Sequence, residues 1–191
     1  MAIDKVTSAA IATDAVGPTQ LNEASNYDFT GTVTGAGASN KPAFFVYKAS
    51  SSNQNISNNT ATKITFDSET WDEGSGFDLT NNKFVVPSGE GGKYHINFTC
   101  RTYDASSKIY SVRMYIYKNG SAASNNEFYG GGSDAFEMEG TCFTHSINMD
   151  LSASDYLECY ITCKTHDSGH ILILGDATTR KTYFTGYKLI T

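Results

Sequence analysis

From residue 41 to the C-terminus, short runs of aromatic and β-branched residues follow one another, with Gly, Asn, Ser or Pro breaks between them. None of these runs holds a helical period, and that succession is the strongest constraint on the fold. The spacing predicts strands at 42–47, 63–66, 83–86, 93–100, 111–117, 127–129, 141–147, 156–163, 171–174 and 182–190. The run at 111–117 leads into Lys118-Asn119-Gly120-Ser121, and Asn-Gly is a strong hairpin turn because both residues accept positive φ. Many short strands with such turns make a sandwich or a barrel. The polar stretch from Ala49 to Thr60 and the segments 103–108 and 121–140, apart from the short strand at 127–129, are expected to be loops.

Residues 1–40 differ. They are rich in Ala, Thr, Val and Gly, with Tyr27 and Phe29 as their only aromatics. Their single aliphatics are widely spaced, so the segment cannot bury enough apolar surface to order itself alone. The expected organisation is therefore a low-complexity stalk or attachment segment at 1–40 and a globular head at 41–191. The 191 residues suffice for one real core. Met1-Ala2-Ile3-Asp4-Lys5 lacks the apolar stretch of a secretory leader, and no run approaches a membrane span, so neither a leader nor a membrane partner is expected. A net charge of −6 argues against nucleic acid and anionic membrane as partners.

The four cysteines, Cys100, Cys142, Cys159 and Cys163, form no CxxC pair. Free, buried thiols acting as small apolar core residues are expected, in a chain made in a reducing cytoplasm. No GxSxG, HExxH or P-loop occurs. His166 and His170 bracket Asp167 and Ser168, which suits a polar turn between strands unless further ligands approach in space. Trp71-Asp72-Glu73-Gly74-Ser75-Gly76-Phe77-Asp78 offers hard oxygens that could hold a structural Ca²⁺, but its spacing is not that of an EF-hand, and a solvated turn is the simpler reading. No enzyme, no metal site and no cofactor is expected.

The order of the pieces resembles the globular head of complement first component q, which shares its jelly roll with tumour necrosis factor. Phe44-Phe45-Val46 matches the opening aromatic strand, and Ile64-Thr65-Phe66 the short strand ending in Phe. Residues 79–89 followed by 92–98 match the Asn-rich turn, the Phe strand, the Pro-Gly turn and the Tyr-x-Phe strand. Residues 112–120, 151–156 and 183–190 match the strand into Lys-Asn-Gly, the Leu-x-x-x-Asp turn and the closing Phe-x-Gly-aromatic strand. Glu90 and Gly91 are extra residues after Pro87. The resemblance implies an all-β, antiparallel jelly-roll sandwich that assembles as a homotrimer. Tyr115, Tyr117, Tyr160, Tyr183 and Tyr187 are the interface residues expected from it. Strand alternation puts Tyr115 and Tyr117 on one face and Met114 and Ile116 on the other.

Patterns such as Ile11-x-x-x-Ala15-Val16 and Phe29-Thr30-Gly31-Thr32-Val33 resemble the stalk segments of bacteriophage tail fibres, although a flexible linker has similar composition. Together the two resemblances imply a virion protein made in the host cytoplasm. It would be a tail-fibre tip whose head is a receptor-binding adhesin for a bacterial surface glycan or protein, with 1–40 contacting other virion or tail proteins. The alternative is a structural virion component, a capsid decoration or tail-assembly protein without a receptor. A third reading is a cellular ligand-like head. Rigid scaffolds carry binding on their loops. The expected receptor contacts are therefore Phe128, Tyr129, Asp134 and Phe136, then Tyr103 and Asp104, and His166 and His170.

Overall fold

The structure is a computed structural model. It describes residues 40–50, 53–104, 109–130, 138–166 and 169–189. The chain divides into two units, Met1–Gly37 and Ala38–Thr191, and every described residue belongs to the second. Residues 1–39 of the expected stalk, and separately the expected contacts Asp134 and Phe136, lie outside the described residues.

Thirteen strands and no helix occur among the described residues. They form two antiparallel sheets. In the first, β7 (Gly92–Tyr103) is central. It pairs along its whole length with β10 (Gly140–Leu151) on one side. On the other side it pairs with β13 (Tyr183–Lys188) and, further along, with β12 (Ile171–Ile173). β13 continues to β1 (Ala43–Tyr47) and β4 (Ser68–Glu73), and β12 to β2 (Gln54–Ile56). The second sheet runs β5 (Phe77–Asp78), β6 (Lys83–Val85), β11 (Tyr156–Thr165), β8 (Ile109–Lys118) and β9 (Ser121–Tyr129), with β3 (Thr62–Lys63) also on β11. First and last strands pair, and the chain alternates between sheets, as a jelly roll requires.

Alternation sorts the side chains. In β1, Phe44 and Val46 point inward while Phe45 and Tyr47 point outward. In β8, Val112, Met114 and Ile116 are buried while Arg113, Tyr115 and Tyr117 are not. The inward residues meet in a core centred on Phe44, whose ring lies 4.5 Å from Phe84 and 4.9 Å from Phe184. Each such buried ring contributes about 1.5–3 kcal/mol.

Several expectations are corrected. The strand expected at 127–129 begins already at 121, inside the expected loop, as β9, returned by a hairpin whose Asn119 and Gly120 take φ of 53° and 79°. β9 is mostly exposed and polar, so it carries no hydrophobic period to read. β2 lies inside the expected polar loop, β4 runs into the acidic stretch, and β5 lies within it. In that stretch the Asp72 carboxylate accepts the amides of Gly76 (3.1 Å) and Phe77 (3.0 Å), closing the turn that separates β4 from β5. Residues 64–66 leave the strand geometry expected for 63–66, although Ile64 and Phe66 are buried. The extra residues after Pro87 have a structural role, since the Glu90 carbonyl accepts the hydroxyl of the fully buried Tyr94 at 2.5 Å. Burial pushes that phenol up to about 12.

Candidate functional site

The outer face of the second sheet is built from rows of directly opposed residues. Ser111 stands between Tyr129 and Lys164, Arg113 between Glu127 and Thr162, and Tyr115 between Asn125 and Tyr160. Opposed residues on an antiparallel sheet share a face, so these groups line up side by side. Arg113 and Glu127 form an ion pair across the β8–β9 hairpin. The Arg113 Nη1 also lies 3.5 Å from the Tyr115 hydroxyl, while its Nε is buried without an acceptor. The loop after β2 closes the third side. Asn58 Oδ1 accepts the Thr165 amide at 2.9 Å, and the Asn59 amide donates to the Cys163 carbonyl at 2.7 Å, with Asn59 in left-handed backbone at φ 53°.

The result is a recess of about 210 Å³ with Arg113, Glu127, Tyr115, Thr162, Lys164 and Asn59 among its walls. The ammonium of Lys164 meets no carboxylate among the described residues. Aromatic groups stand at both ends. On one side Tyr117 stacks on Tyr160 at 4.1 Å and meets Tyr115 edge-on at 5.9 Å. On the other side Tyr110 stacks on His166 at 4.3 Å and meets Tyr129 at 6.0 Å, with Tyr129 58% exposed. Charged donors and acceptors beside ring faces can hold a polyhydroxylated ligand, with hydroxyls bridging Arg113 and Glu127 and C–H groups against an aromatic wall.

The outer face of the first sheet is different. Phe45 lies 5.2 Å from both Tyr183 and Trp71 and 6.3 Å from Tyr47. Tyr187 packs 5.4 Å from His95. Trp71 is 46% and Tyr187 38% exposed. The ion pairs Lys41–Glu73 and Lys188–Glu90 involve the ends of these strands and the turn before β7.

The residues expected from sequence are therefore scattered. Tyr129 and His166 gather around Tyr110. Phe128 does not join them: it alternates inward and packs 5.6 Å from Phe143 of the opposite sheet. Asp104 is buried, its amide donating to the Glu139 carbonyl at 2.6 Å, so it is no surface contact. Tyr103 ends β7, and His170 is exposed just before β12, both in the first sheet. The five interface tyrosines fall on opposite sides of the sandwich, with Tyr115, Tyr117 and Tyr160 on one outer face and Tyr183 and Tyr187 on the other. Cys100, Cys159 and Cys163 are buried free thiols, as expected, but Cys142 is an exposed free thiol rather than a core residue. Among the described residues no three His, Cys, Asp or Glu side chains come together as metal ligands. Sequence reading missed Phe45, Trp71, Arg113 and Glu127. The Phe44-Phe45 pair was a usable signal, since alternation must turn one of two adjacent aromatics outward.

The arrangement of strands matches a solved structure, the globular domain of zebrafish complement 1qA protein, at a TM-score of 0.51 and 13% identity. The match covers 78% of this chain and 98% of that one. The fold is the complement-type jelly roll. At that identity the complement-type likeness shows the fold alone. No family model and no curated protein matches the chain.

Proposed function

We propose that this protein is a non-enzymatic, homotrimeric receptor-binding head, carried on a virion as a tail-fibre tip, that holds a bacterial surface glycan on the outer face of its second sheet. The observation that carries the reading is the Arg113–Glu127 pair set in a recess between Tyr115 and the Tyr110–Tyr129–His166 cluster. Such a recess takes one sugar unit weakly. Three copies on one trimer raise the effective concentration and make weak sites sufficient. The self-contact is assigned to the exposed aromatic groups Trp71 and Tyr187, because buried self-contacts favour aromatic side chains. Residues 1–40 serve as the attachment to the rest of the fibre.

Two experiments test this. Light scattering on the intact chain, and on residues 41–191, should give a trimer in both cases. Binding of fluorescent protein to bacterial cells and to a panel of surface glycans should be saturable, and Tyr115→Ala and Glu127→Ala should each abolish it. Unchanged cell binding by both variants refutes the site, and a monomer in both preparations refutes the assembly.

A further inference from the structure

A second concavity, of about 640 Å³, opens on the outer face of the first sheet where β13, β7 and β10 meet the loop before β13. Arg101, Arg180 and Lys181 all line it, and no lining residue carries a carboxylate. That is notable in a chain with 20 acidic and 14 basic residues. Lys181 reaches Asp176 at 3.1 Å, but the Arg101 guanidinium finds no anionic partner among the described residues.

Arg180 is held in a strained backbone conformation by the turn before it. It takes left-handed backbone at φ 47°, a conformation unfavourable for a residue with a Cβ. The turn before it fixes that geometry. Asp176 Oδ1 accepts the amides of Thr178 at 2.9 Å and Thr179 at 2.8 Å, and the Asp176 carbonyl accepts the Arg180 amide at 3.0 Å. The turn lays the guanidinium over the rings of Phe45 (5.5 Å) and Tyr47 (5.1 Å), and it leaves Nε buried without an acceptor. A strained arginine with an orphaned donor is the kind of outlier that marks a ligand clamp. Thr99 and Thr144, whose hydroxyls lie 2.9 Å apart, add neutral donors to the wall, and Tyr183 adds an aromatic one.

We infer that this concavity binds an oxyanion, a carboxylate or phosphoryl group, held by the guanidinium groups of Arg101 and Arg180, while Lys181 stays paired with Asp176. Guanidinium forks suit both oxyanions, so the group can arrive as free phosphate or as the acid of a uronic sugar, whose ring would rest on Tyr183.

The test is calorimetric titration of the intact chain at low, constant ionic strength with sodium phosphate, sodium glucuronate and glucose. One anion per chain is expected to bind saturably, more weakly as chloride is raised. Equal affinity for phosphate and glucuronate identifies a bare oxyanion site, and preference for glucuronate identifies an acidic sugar. Arg101→Gln and Arg180→Gly should each weaken binding by at least about tenfold. Glycine accepts the backbone at position 180, so loss of binding there reads the guanidinium and not a misfolded turn. No saturable uptake, equal uptake of glucose, or unchanged affinity in both variants overturns the inference. Light scattering on the same samples separates it from the trimer reading, since a monomer that still binds the anion refutes only the assembly.

Discussion

Replacing Gly186 by alanine tests whether the closing strand is as tightly fitted as its register implies. Gly186 lies opposite Ile96 on β7 and Phe44 on β1. An added Cβ would stand 2.7 Å from Ile96 Cδ1, 3.0 Å from Phe44 Cε1 and 3.1 Å from the His95 carbonyl oxygen. The Phe44 ring cannot retreat, being stacked on Phe84 and edge-on to Phe184, and the carbonyl belongs to the ladder. Only the Ile96 methyl can move. Overpacking of this kind costs about 1–3 kcal/mol. Gly186 is not left-handed, so alanine also stiffens the unfolded chain, which returns about 0.4–1 kcal/mol. The net loss is about 1–2 kcal/mol, or roughly 2–8 °C in Tm for a domain of this size. Urea unfolding should show a lower midpoint at unchanged m. The decisive comparison adds Ile96→Val, which deletes Cδ1 itself. Alone that change costs about 0.5–1.5 kcal/mol. In the Gly186→Ala background it should cost at least about 0.5 kcal/mol less, because it removes the clashing atom. Strict additivity of the two substitutions would refute the reasoning.

Three further outcomes follow from the geometry. Gly120→Ala should lose about 1–2 kcal/mol in urea melts, because position 120 is left-handed at φ 79° and alanine resists that backbone, whereas Gly120→Asn should lose less. A thiol reagent should label one cysteine per native chain, Cys142. Its thiol is pushed up by burial against a smaller opposing effect of Arg101, so labelling should be slow at neutral pH and quicken as pH rises, and Cys100, Cys159 and Cys163 should react only on unfolding. Asp155 is held down to about 2 by Lys118, then by Asn119 and the Ser152 amide. A depressed carboxylate stabilises above its unfolded value near about 4 and loses that contribution as pH falls towards about 2. Asp155→Asn should therefore flatten the decline in urea midpoint across that window, and parallel declines in both proteins would show the shift to be absent.

The strands legible in the sequence are those that bury one face and carry apolar residues at alternate positions. β7, β8 and β11 do so over 10 to 12 residues, and each was found within a few residues of its true end. All of β4 and the 121–126 part of β9 were hidden because tertiary pairing alone makes them strands, while the end of β9 at 127–129 was legible. β9 is placed by the Asn119-Gly120 turn and hydrogen-bonded to β8, and β4 is an outer strand paired only to β1. Their hidden sequences, SAASNN and SETWDE, carry little inward apolar surface and read as loops. The hairpin turn itself was evidence for a strand on its far side, since a two-residue turn of this type needs a partner to return along.

The candidate sites were less legible for a related reason. Alternation tells which residues of one strand share a face, and it correctly joined Tyr115 with Tyr117. It does not tell which sheet a strand enters or which strand lies beside it. Tyr160 stacks on Tyr117 because β11 pairs with β8 in a register that no local pattern encodes. Arg113 meets Glu127 through the hairpin register, including its bulge between Ile116 and Tyr117. Arg180 reaches Phe45 and Tyr47 across more than 130 positions, through a turn set by the single carboxylate of Asp176. Both proposed sites thus depend on long-range register, and both sit on outer sheet faces rather than in the glycine-rich loop that composition favoured. In a sandwich whose strand ends carry the turns, the outer faces are the rigid surfaces. Side chains fixed there by cross-strand neighbours lose little further freedom on binding, so weak individual contacts can still sum to recognition.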